Sequence, residues 1–276
     1  MGKMIAFGWY GGKYSHLDWL LPLLPESTHY CEPFGGSAAV ILNRAKSPVE
    51  TYNDIDGELV NFFRVLRSEP EALVEQIRFT PFARSEYAQA IGIVDGLSDI
   101  ERARLFFVRA RQSRTGMAQA AKIYRWANCL LNSRSGMSGT VSRWIGAVDG
   151  LLEIADRLMS VQIECDSALR IIDRYDSSET LFYCDPPYTH DTRGDSNMYH
   201  TELTAGDHVE LARVLHGIRG KCAISGYSGG IMDDLFGDWI RIDSNPKIAH
   251  STTSGGAKKT RIESLWINYA WEGVTA

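Results

Sequence analysis

Short apolar runs alternate with helical segments along most of this 276-residue chain, and this alternation limits the possible folds more than any other feature. Seven runs have the β-branched or aromatic content and the polar or glycine boundaries of strands: residues 28–32, 50–53, 161–165, 180–184, 221–225, 239–243 and 261–269. The clearest helical pattern covers residues 204–220, with Thr204 as N-cap and Gly217 or Gly220 as the stop. The alternation predicts an α/β fold in which one seven-stranded sheet carries helices on both faces.

The run from residue 65 to residue 149 breaks this rhythm, because it is rich in helix formers and has no clear strand pattern. We interpret it as a mostly helical insertion between the second and third strands, which leaves residues 1–64 and 150–276 to form the sheet domain. Within the insertion, residues 102–148 hold nine basic side chains and no acidic one, although the whole chain has a net charge of −5. This asymmetry indicates a binding surface for a polyanion, the alternative being a solvated helix face.

A second basic segment, residues 245–261, is rich in Gly, Ser and Thr and contains no acid. Its basic side chains are Lys247, Lys258, Lys259 and Arg261. We predict a loop there, which either contacts phosphates or is simply solvated.

Cysteine usage and the N-terminal sequence indicate a cytoplasmic protein. The five cysteines are scattered and include no CxxC pair, which favours small buried hydrophobes over a metal or disulfide site. Residues 1–13 have no apolar core followed by a small-residue cleavage site, so no signal peptide is expected. The apolar cluster over residues 17–25 is too short to span a bilayer, so no membrane partner is expected either.

The ends of the first two strands carry features of a nucleoside site. The first strand runs into EPFGGSAAV (residues 32–40), where the glycines allow close approach of a ligand and Ser37 is a candidate helix cap. In YNDID, Asp54 and Asp56 lie 19 and 21 residues beyond Gly35, the spacing at which such folds bind a ribose hydroxyl. A tight turn and an N-capping acid are the structural alternatives, and the two features together favour a nucleoside-containing cofactor.

The type of cofactor follows from what the turn lacks and from the acid it carries. No GxGxxG fingerprint is present, and no cluster of arginines is evident for a pyrophosphate. Glu32 would repel a phosphate but can lie near an ammonium or sulfonium group. S-adenosylmethionine carries both groups and is therefore the expected cofactor, with no metal.

The strand at residues 180–184 leads into YCDPPY (residues 183–188), which combines a carboxylate, a stiff backbone and an aromatic ring. The exocyclic amine of a base is a poor nucleophile, because its lone pair is delocalised into the ring. Asp185 can accept one N–H and the carbonyl of Pro186 the other, which frees the lone pair, while Tyr188 offers a face for stacking. A base can reach such a pocket only when it is flipped out of the duplex. Taken alone, the motif is also a turn signature.

The motifs and their order resemble the Dam-type (alpha-group) DNA adenine-N6 methyltransferases. The resemblance covers about two thirds of the chain and includes these segments: GWYGGK (8–13), EPFGGSAAV, YNDID, ECDSALRII (164–172), YCDPPY, KCAISGYS (221–228) and RIESLWINY (261–269). It implies a Rossmann-like S-adenosylmethionine-dependent methyltransferase fold with a mixed sheet, in which residues 65–149 form the target-recognition domain. It also implies direct methyl transfer to a flipped-out adenine in double-stranded DNA, with a cognate restriction endonuclease as a second candidate partner and a nucleoid or phage setting.

The resemblance implies roles for individual residues. The implied cofactor contacts are Trp9, Lys13, Phe34, Gly35, Asp54, Asp166 and Asp185. The implied catalytic clamp consists of Asp185, Pro186 and Tyr188. Residues 109–143 depart from the recognition segment of enzymes that methylate GATC, so the target sequence is left open. The candidate DNA contacts in this region are Arg111, Arg114, Arg134 and Arg143.

Three other functions are compatible with parts of the pattern. Methylation of cytosine N4 or of an RNA adenine would use the same chemistry, although Asp rather than Ser or Asn before PPY favours DNA adenine. An inactive DNA-binding module would keep the fold, but the intact Lys13, Asp54, Asp185 and Tyr188 argue against it. A nucleotide-dependent oxidoreductase lacks its glycine fingerprint.

Overall fold

A computed structural model describes residues 2–92, 95–114, 125–188, 203–244 and 262–271. The strands are β1 (His29–Glu32), β2 (Val49–Asn53), β3 (Ser133–Arg134), β4 (Met137–Ser138), β5 (Val161–Glu164), β6 (Thr180–Cys184), β7 (Lys221–Tyr227), β8 (Ile240–Asp243) and β9 (Glu263–Ile267). The helices are α1 (Leu17–Leu20), α2 (Ala39–Asn43), α3 (Gly57–Ser68), α4 (Pro70–Phe79), α5 (Arg84–Ala90), α6 (Asp99–Gln112), α7 (Gly139–Asp149), α8 (Leu151–Leu158), α9 (Ala168–Tyr175), α10 (Ala205–His216) and α11 (Ile231–Leu235). The loop predicted over residues 245–261 lies outside the described residues.

Seven strands form one mixed sheet in the order β5-β2-β1-β6-β7-β9-β8. Neighbouring strands are parallel except at β9, which runs antiparallel to both β7 and β8. The chain fills one side of β1 with β2 and β5 and then crosses to β6 on the other side, so the order switches between β1 and β6. The predicted α/β fold with one seven-stranded sheet is confirmed.

Local capping signals define the helices that follow the strands. Asp56 caps α3 by accepting hydrogen bonds from the N–H groups of Glu58 and Leu59. Thr204 and Asp207 form a reciprocal capping box at the start of α10, and Gly217 ends this helix. The N-cap predicted at Thr204 and the stop predicted at Gly217 are both confirmed.

Two hydrophobic clusters lie on opposite faces of the sheet, because successive side chains of a strand point to opposite sides. Along β6, Leu181 and Tyr183 enter the larger cluster, whereas Phe182 and Cys184 enter the smaller one. The smaller cluster also contains Cys222. Three of the five cysteines, Cys31, Cys184 and Cys222, are thus small buried side chains, while Cys129 is half-buried and Cys165 exposed.

The helices of the insertion pack onto the sheet domain. α6 contributes Phe106 and Phe107 to the same cluster as Tyr52 of β2 and Phe62 of α3. The boundary expected at residue 65 falls inside α3, so these helices share one core with the sheet domain. Where the sequence showed no clear strand, β3 and β4 form a two-stranded hairpin.

Among the described residues, none of the helices has the length and apolar character needed to cross a bilayer. In the same part of the chain, no group of three or more His, Cys, Asp or Glu side chains is arranged to hold a metal ion. Polar side chains cluster at the carboxyl edge of the sheet.

Candidate active site

A cavity of about 770 Å³ lies at the carboxyl ends of the parallel strands, at the switch point between β1 and β6. Its lining includes every residue that the sequence assigned to the cofactor or to catalysis: Trp9, Lys13, Phe34, Gly35, Asp54, Asp166, Asp185, Pro186 and Tyr188. The strand order brings seven of them together, because the carboxyl ends of β5, β2, β1 and β6 lie side by side. The other two, Trp9 and Lys13, belong to the segment that precedes β1. Open α/β sheets bind their ligands at this position.

The glycine turn after β1 is shaped by its contacts with β2. The N–H of Gly35 donates to the carbonyl of Asn53 at 2.7 Å, and a Cβ on Gly35 would lie 2.1 Å from the ring of Tyr52. Gly36 has a φ of +49°, in the left-handed region that glycine adopts easily, and its carbonyl accepts the Tyr52 hydroxyl at 2.7 Å. Both glycines are therefore required by the local geometry.

Ser37 does not have the capping role that the sequence predicted. α2 begins at Ala39, and among the described residues no side chain caps its first turn. The preceding residue, Ala38, has a φ of 58° and is therefore in the left-handed conformation. A residue that caps a helix with its side chain is normally extended. Ser37 is instead buried at the cavity wall.

The two acids after β2 have different roles. Asp56 caps α3, whereas Asp54 accepts the backbone N–H groups of Gly36 and Asp56, each at 2.9 Å; both acids line the cavity. Burial raises the pKa of Asp54 to about 6, although its backbone donors act in the opposite direction. Because the carboxylate of Asp56 is engaged as a helix cap, Asp54 is the candidate of the two for a ligand contact.

Asn53 ties three strand ends together and was missed by the sequence analysis. Its Nδ2 donates to the carbonyls of Pro33 and Asp166 at 2.8 and 3.0 Å, and its Oδ1 accepts the N–H of Asp166 at 2.9 Å. It is a fully buried polar residue at the end of a central strand. An asparagine in that position needs partners for its amide, and this was the available signal.

Asp166 lies at the cavity wall just beyond β5, and its carboxylate already has several donors. Its Oδ1 accepts the N–H of Ser167 at 2.7 Å and Arg170 at 3.1 Å, and its Oδ2 accepts Arg174 at 3.1 Å. These donors, the Ser167 N–H foremost, hold the pKa of Asp166 below its ordinary value. The carboxylate is therefore ionised and oriented by the protein itself.

Glu32, at the end of β1, is a buried acid in the same cavity wall. The hydroxyl of Tyr30 donates to its Oε1 at 2.7 Å. Burial raises the pKa of Glu32 to about 8, so this carboxyl group holds a proton at neutral pH in the free protein. A neighbouring cation would favour the ionised form; the expected position of Glu32 near a sulfonium or ammonium group stays a prediction.

Asp185 directly follows β6 and forms an ion pair with Lys13. The Lys13 Nζ lies 2.6 Å from Asp185 Oδ1 and donates to the carbonyl of Gly11 at 2.7 Å. Burial raises the pKa of Asp185, and the ammonium of Lys13 opposes that rise. The ion pair brings GWYGGK and DPPY into direct contact, although the two residues are 172 positions apart.

Glu263, the first residue of β9, joins this ion pair and was also missed by the sequence analysis. It accepts a hydrogen bond from the Tyr188 hydroxyl, and its Oε1 lies 3.3 Å from Lys13 Nζ. The ring of Tyr188 packs edge-on against Tyr227, with ring centres 4.7 Å apart. An acid at the start of the otherwise mostly apolar run ESLWI was the signal that could have indicated it.

The two prolines of the motif are held by α10. The carbonyl of Pro187 lies 3.0 Å from Nε2 of His208, a buried side chain of that helix. Pro186 is buried as well. The turn is therefore anchored by a helix in addition to being stiffened by the fixed φ of its prolines.

The four arginines assigned to DNA contacts differ in exposure. Arg114, Arg134 and Arg143 are exposed, with Arg134 on the β3–β4 hairpin. Arg111 is half-buried and donates to the carbonyl of Arg143 at 3.3 Å, and burial lowers its pKa to about 10. Arg125, which was not assigned, is exposed and accepts the backbone N–H of Arg114 at 2.7 Å through its carbonyl.

The insertion is less positive at its surface than its count of basic residues suggests. Arg102 forms an ion pair with Glu58, and Arg104 forms one with Glu101. Both acids lie outside residues 102–148, so a count confined to that segment cannot include them. Among the described residues of this segment, the positive charge at the surface therefore comes mainly from the exposed arginines.

Comparison with known proteins agrees with this site. A family model described as D12 class N6 adenine-specific DNA methyltransferase matches residues 9–250. A DNA adenine methylase of Vibrio cholerae serotype O1 is 29% identical over 199 residues, which cover 68% of this chain and 66% of that enzyme. A type II methyltransferase of Lactococcus lactis subsp. cremoris is 24% identical over 283 residues, which cover 95% of this chain and 94% of that enzyme.

The family match includes the glycine turn after β1, both acids after β2 and the DPPY motif. It extends over most of the chain, and the mixed seven-stranded sheet agrees with the methyltransferase fold that the motifs implied. The resemblance seen in the sequence is thereby confirmed. The chain belongs to the D12 class of N6 adenine-specific DNA methyltransferases.

Proposed function

We propose that this protein transfers the methyl group of S-adenosylmethionine to the N6 amine of an adenine flipped out of double-stranded DNA. The observation that carries the proposal is the position of Asp185 at the switch point of the sheet, in the cavity wall, with one oxygen held by Lys13. Membership of the D12 class supports the same reaction.

The cavity's donor set fits this cofactor. Asp54 and Asp166 accept hydrogen bonds from hydroxyls and amines, and their carboxylates attract a cation and would repel a phosphate. Glu32, whose pKa burial raises to about 8, would become ionised beside a bound cation. A volume of about 770 Å³ lies in the range of sites for single small ligands. When bound, the cofactor supplies an electrophilic methyl group on its sulfonium.

The DPPY residues would prepare the amine for attack. Lys13 engages Oδ1 of Asp185, so we assign Oδ2 to one N–H of the amine and the Pro186 carbonyl to the other. Two acceptors draw the nitrogen towards tetrahedral geometry and free its lone pair. Tyr188 offers its ring to the base, and Asp185 is placed to take the surplus proton after transfer.

The insertion would supply the DNA interface. Leu130 and Leu131, 87% and 95% exposed, precede the hairpin that carries Arg134, and Arg143 is exposed on α7. Exposed arginines beside apolar side chains suit a surface that contacts phosphates and base edges. The likeness to a type II methyltransferase makes a cognate restriction endonuclease a second partner to test.

The proposal is tested with purified protein, methyl-labelled S-adenosylmethionine and duplex DNA of random sequence, digested to nucleosides after reaction. Label in methyladenosine is the expected result. Label in methylcytidine would replace the proposed substrate by cytosine N4. Cofactor binding without any label in DNA, repeated with single-stranded DNA and RNA, would contradict the proposed function.

A further inference from the structure

Glu263 is the first residue of β9, which runs antiparallel to both of its neighbours in the sheet, β7 and β8. β9 is antiparallel to β7, and Glu263 lies opposite Tyr227, the last residue of β7. The amino end of β9 therefore reaches the carboxyl edge of the sheet, and Glu263 enters the cavity wall with 7% of its surface exposed. A buried acid here needs partners, because an isolated buried charge is costly.

One of these partners is Lys13, whose ammonium has three N–H donors. Three acceptors surround it: Asp185 Oδ1 at 2.6 Å, the Gly11 carbonyl at 2.7 Å and Glu263 Oε1 at 3.3 Å. The ammonium thus donates hydrogen bonds to Asp185 and Gly11, and it forms ion pairs with two carboxylates, Asp185 and Glu263. Without Glu263, one of its donors would turn further onto Asp185.

The other partner is Tyr188, whose hydroxyl has a single proton to donate. That proton goes to Glu263, while Asp185 Oδ1 lies 3.4 Å from the same hydroxyl and is the alternative acceptor. The contact also sets the direction of the Tyr188 ring against Tyr227. Loss of Glu263 would release the ring and let the hydroxyl bond Asp185.

We infer that Glu263 is a positioning residue for methyl transfer: it accepts the Tyr188 hydroxyl and shares the ammonium of Lys13, which fixes both groups beside Oδ1 of Asp185 and thereby orients the carboxylate whose other oxygen is assigned to the substrate amine. The inference rests on the proposed function, in which Asp185 accepts an N–H of adenine. Glu263 itself need not touch the substrate. Its effect passes through the two groups that it binds.

Charge balance gives Glu263 a second effect. Asp185 and Glu263 together carry two negative charges when ionised, and Lys13 carries one positive charge, so the cluster has an excess of one negative charge. A sulfonium cofactor is attracted by this excess, whereas its demethylated thioether product lacks the sulfonium charge. Glu263 should therefore favour the cofactor over the product.

The same charge affects the titration of Asp185. The groups that face Asp185 are Lys13, Glu263 and Tyr188, with Tyr183 on β6 behind them. Glu263 raises the pKa of Asp185 and Lys13 lowers it. Neutralising Glu263 removes the opposing charge, so the pKa of Asp185 should fall.

The test is Glu263→Gln, which keeps the shape and an acceptor for Tyr188 but removes the charge. Single-turnover methylation should slow roughly tenfold to a hundredfold, which is the typical loss when a residue that orients a functional side chain is removed. The acid limb of the rate profile should move to lower pH, and duplex affinity should stay within about twofold of wild type. By calorimetry, the preference for S-adenosylmethionine over S-adenosylhomocysteine should fall roughly fivefold.

Glu50→Gln is the matched control. Glu50 is also a buried strand glutamate with a cationic partner, Arg157 at 2.6 Å, but it lies towards the amino end of β2 and outside the cavity lining. It should lower the melting temperature and leave both the acid limb and the cofactor preference unchanged. Glu263→Asp, which keeps the charge, should retain the wild-type acid limb.

The outcomes separate this inference from the proposed function. An active wild type whose Glu263→Gln variant keeps its rate, acid limb and cofactor preference overturns the inference alone. A variant that loses only thermal stability, as Glu50→Gln does, shows a structural role and overturns it as well. A wild type that does not label adenine overturns both.

Discussion

The cavity at the sheet edge and the exposed face of the insertion differ in how their charged side chains are held. The central ones of the cavity are largely buried and paired, whereas those of the insertion face are exposed. In the cavity, Lys13 is 2% exposed at its side chain and bound by three acceptors, so its direction is set before any ligand arrives. On the insertion, Arg134 and Arg143 are exposed, beside the exposed Leu130 and Leu131. A buried, oriented site can stabilise developing charge at little reorganisation cost, whereas an exposed face acquires its partners on binding. Under the proposed function, the reaction and the choice of target therefore depend on separate sets of residues.

The largest effect is expected from Asp185→Ala, which removes a central carboxylate from the cavity wall. The rate of methyl transfer should fall about a thousandfold. The variant loses both the hydrogen-bond acceptor for the amine and the group that takes its proton after transfer. Duplex binding, measured by gel shift, should stay within about twofold, since the exposed arginines are untouched. Asp238→Ala, which removes an exposed acid, is the control and should leave the rate unchanged. Binding that collapsed with activity would make Asp185 a structural residue.

Gly35→Ala should break the cavity sterically. The new Cβ would lie 2.1 Å from the Tyr52 ring, so the turn must shift away from β2. We expect cofactor affinity to fall at least tenfold by calorimetry, and the free energy of unfolding to fall by about 1–3 kcal/mol. Gly146→Ala is the control: no atom lies within 4 Å of its Cβ, and alanine in α7 should stabilise the protein. Normal cofactor binding by Gly35→Ala would show that the turn does not shape the site.

Arg134→Ala tests the exposed face of the insertion in the same comparison. Removing a phosphate contact should weaken duplex binding several-fold and make the log–log salt slope shallower by about 0.9. Cofactor affinity should not change, because Arg134 is outside the cavity lining. Arg213→Ala, on the surface of α10, is the matched control and should change neither quantity. Weaker binding with an unchanged salt slope would instead assign Arg134 to base reading.

The same contrast explains what could be read from the sequence. Strand limits were predicted within two residues because the signal is local: an apolar run bounded by polar residues or glycine. The site residues that end β1, β2 and β6 followed from the same logic, since the carboxyl ends of parallel strands meet at one edge. Asp54 and Asp185 were found in this way.

Long-range relationships were not predictable. Glu263 reaches the cavity only because β9 is inserted antiparallel between β7 and β8, which requires the strand order. Arg102 counted as a free basic residue until the fold placed α6 against α3 and paired it with Glu58. The β3–β4 hairpin has two residues in each strand, too few for an alternating pattern.

The smallest effect at neutral pH concerns Asp54, the acid after β2 that is a candidate contact for the cofactor. Burial raises the pKa of Asp54 from its ordinary 3.8 to about 6, so between these values the folded protein holds a proton that the unfolded chain has lost. The contribution of Asp54 to stability therefore falls as pH rises from about 4 to about 6, and is constant above. If Asp54 binds the cofactor as proposed, its strength as a hydrogen-bond acceptor changes in the opposite direction, since the carboxylate is a stronger acceptor than the carboxylic acid.

Cofactor affinity should accordingly be nearly constant above pH 7 and weaken by up to about tenfold per unit below pH 6. Calorimetric titrations at several pH values measure this directly. Asp54→Asn should bind the cofactor more weakly at neutral pH and lose that dependence, because asparagine does not titrate. A variant that kept the wild-type profile would move the titration to another cavity acid, such as Glu32 or Asp185.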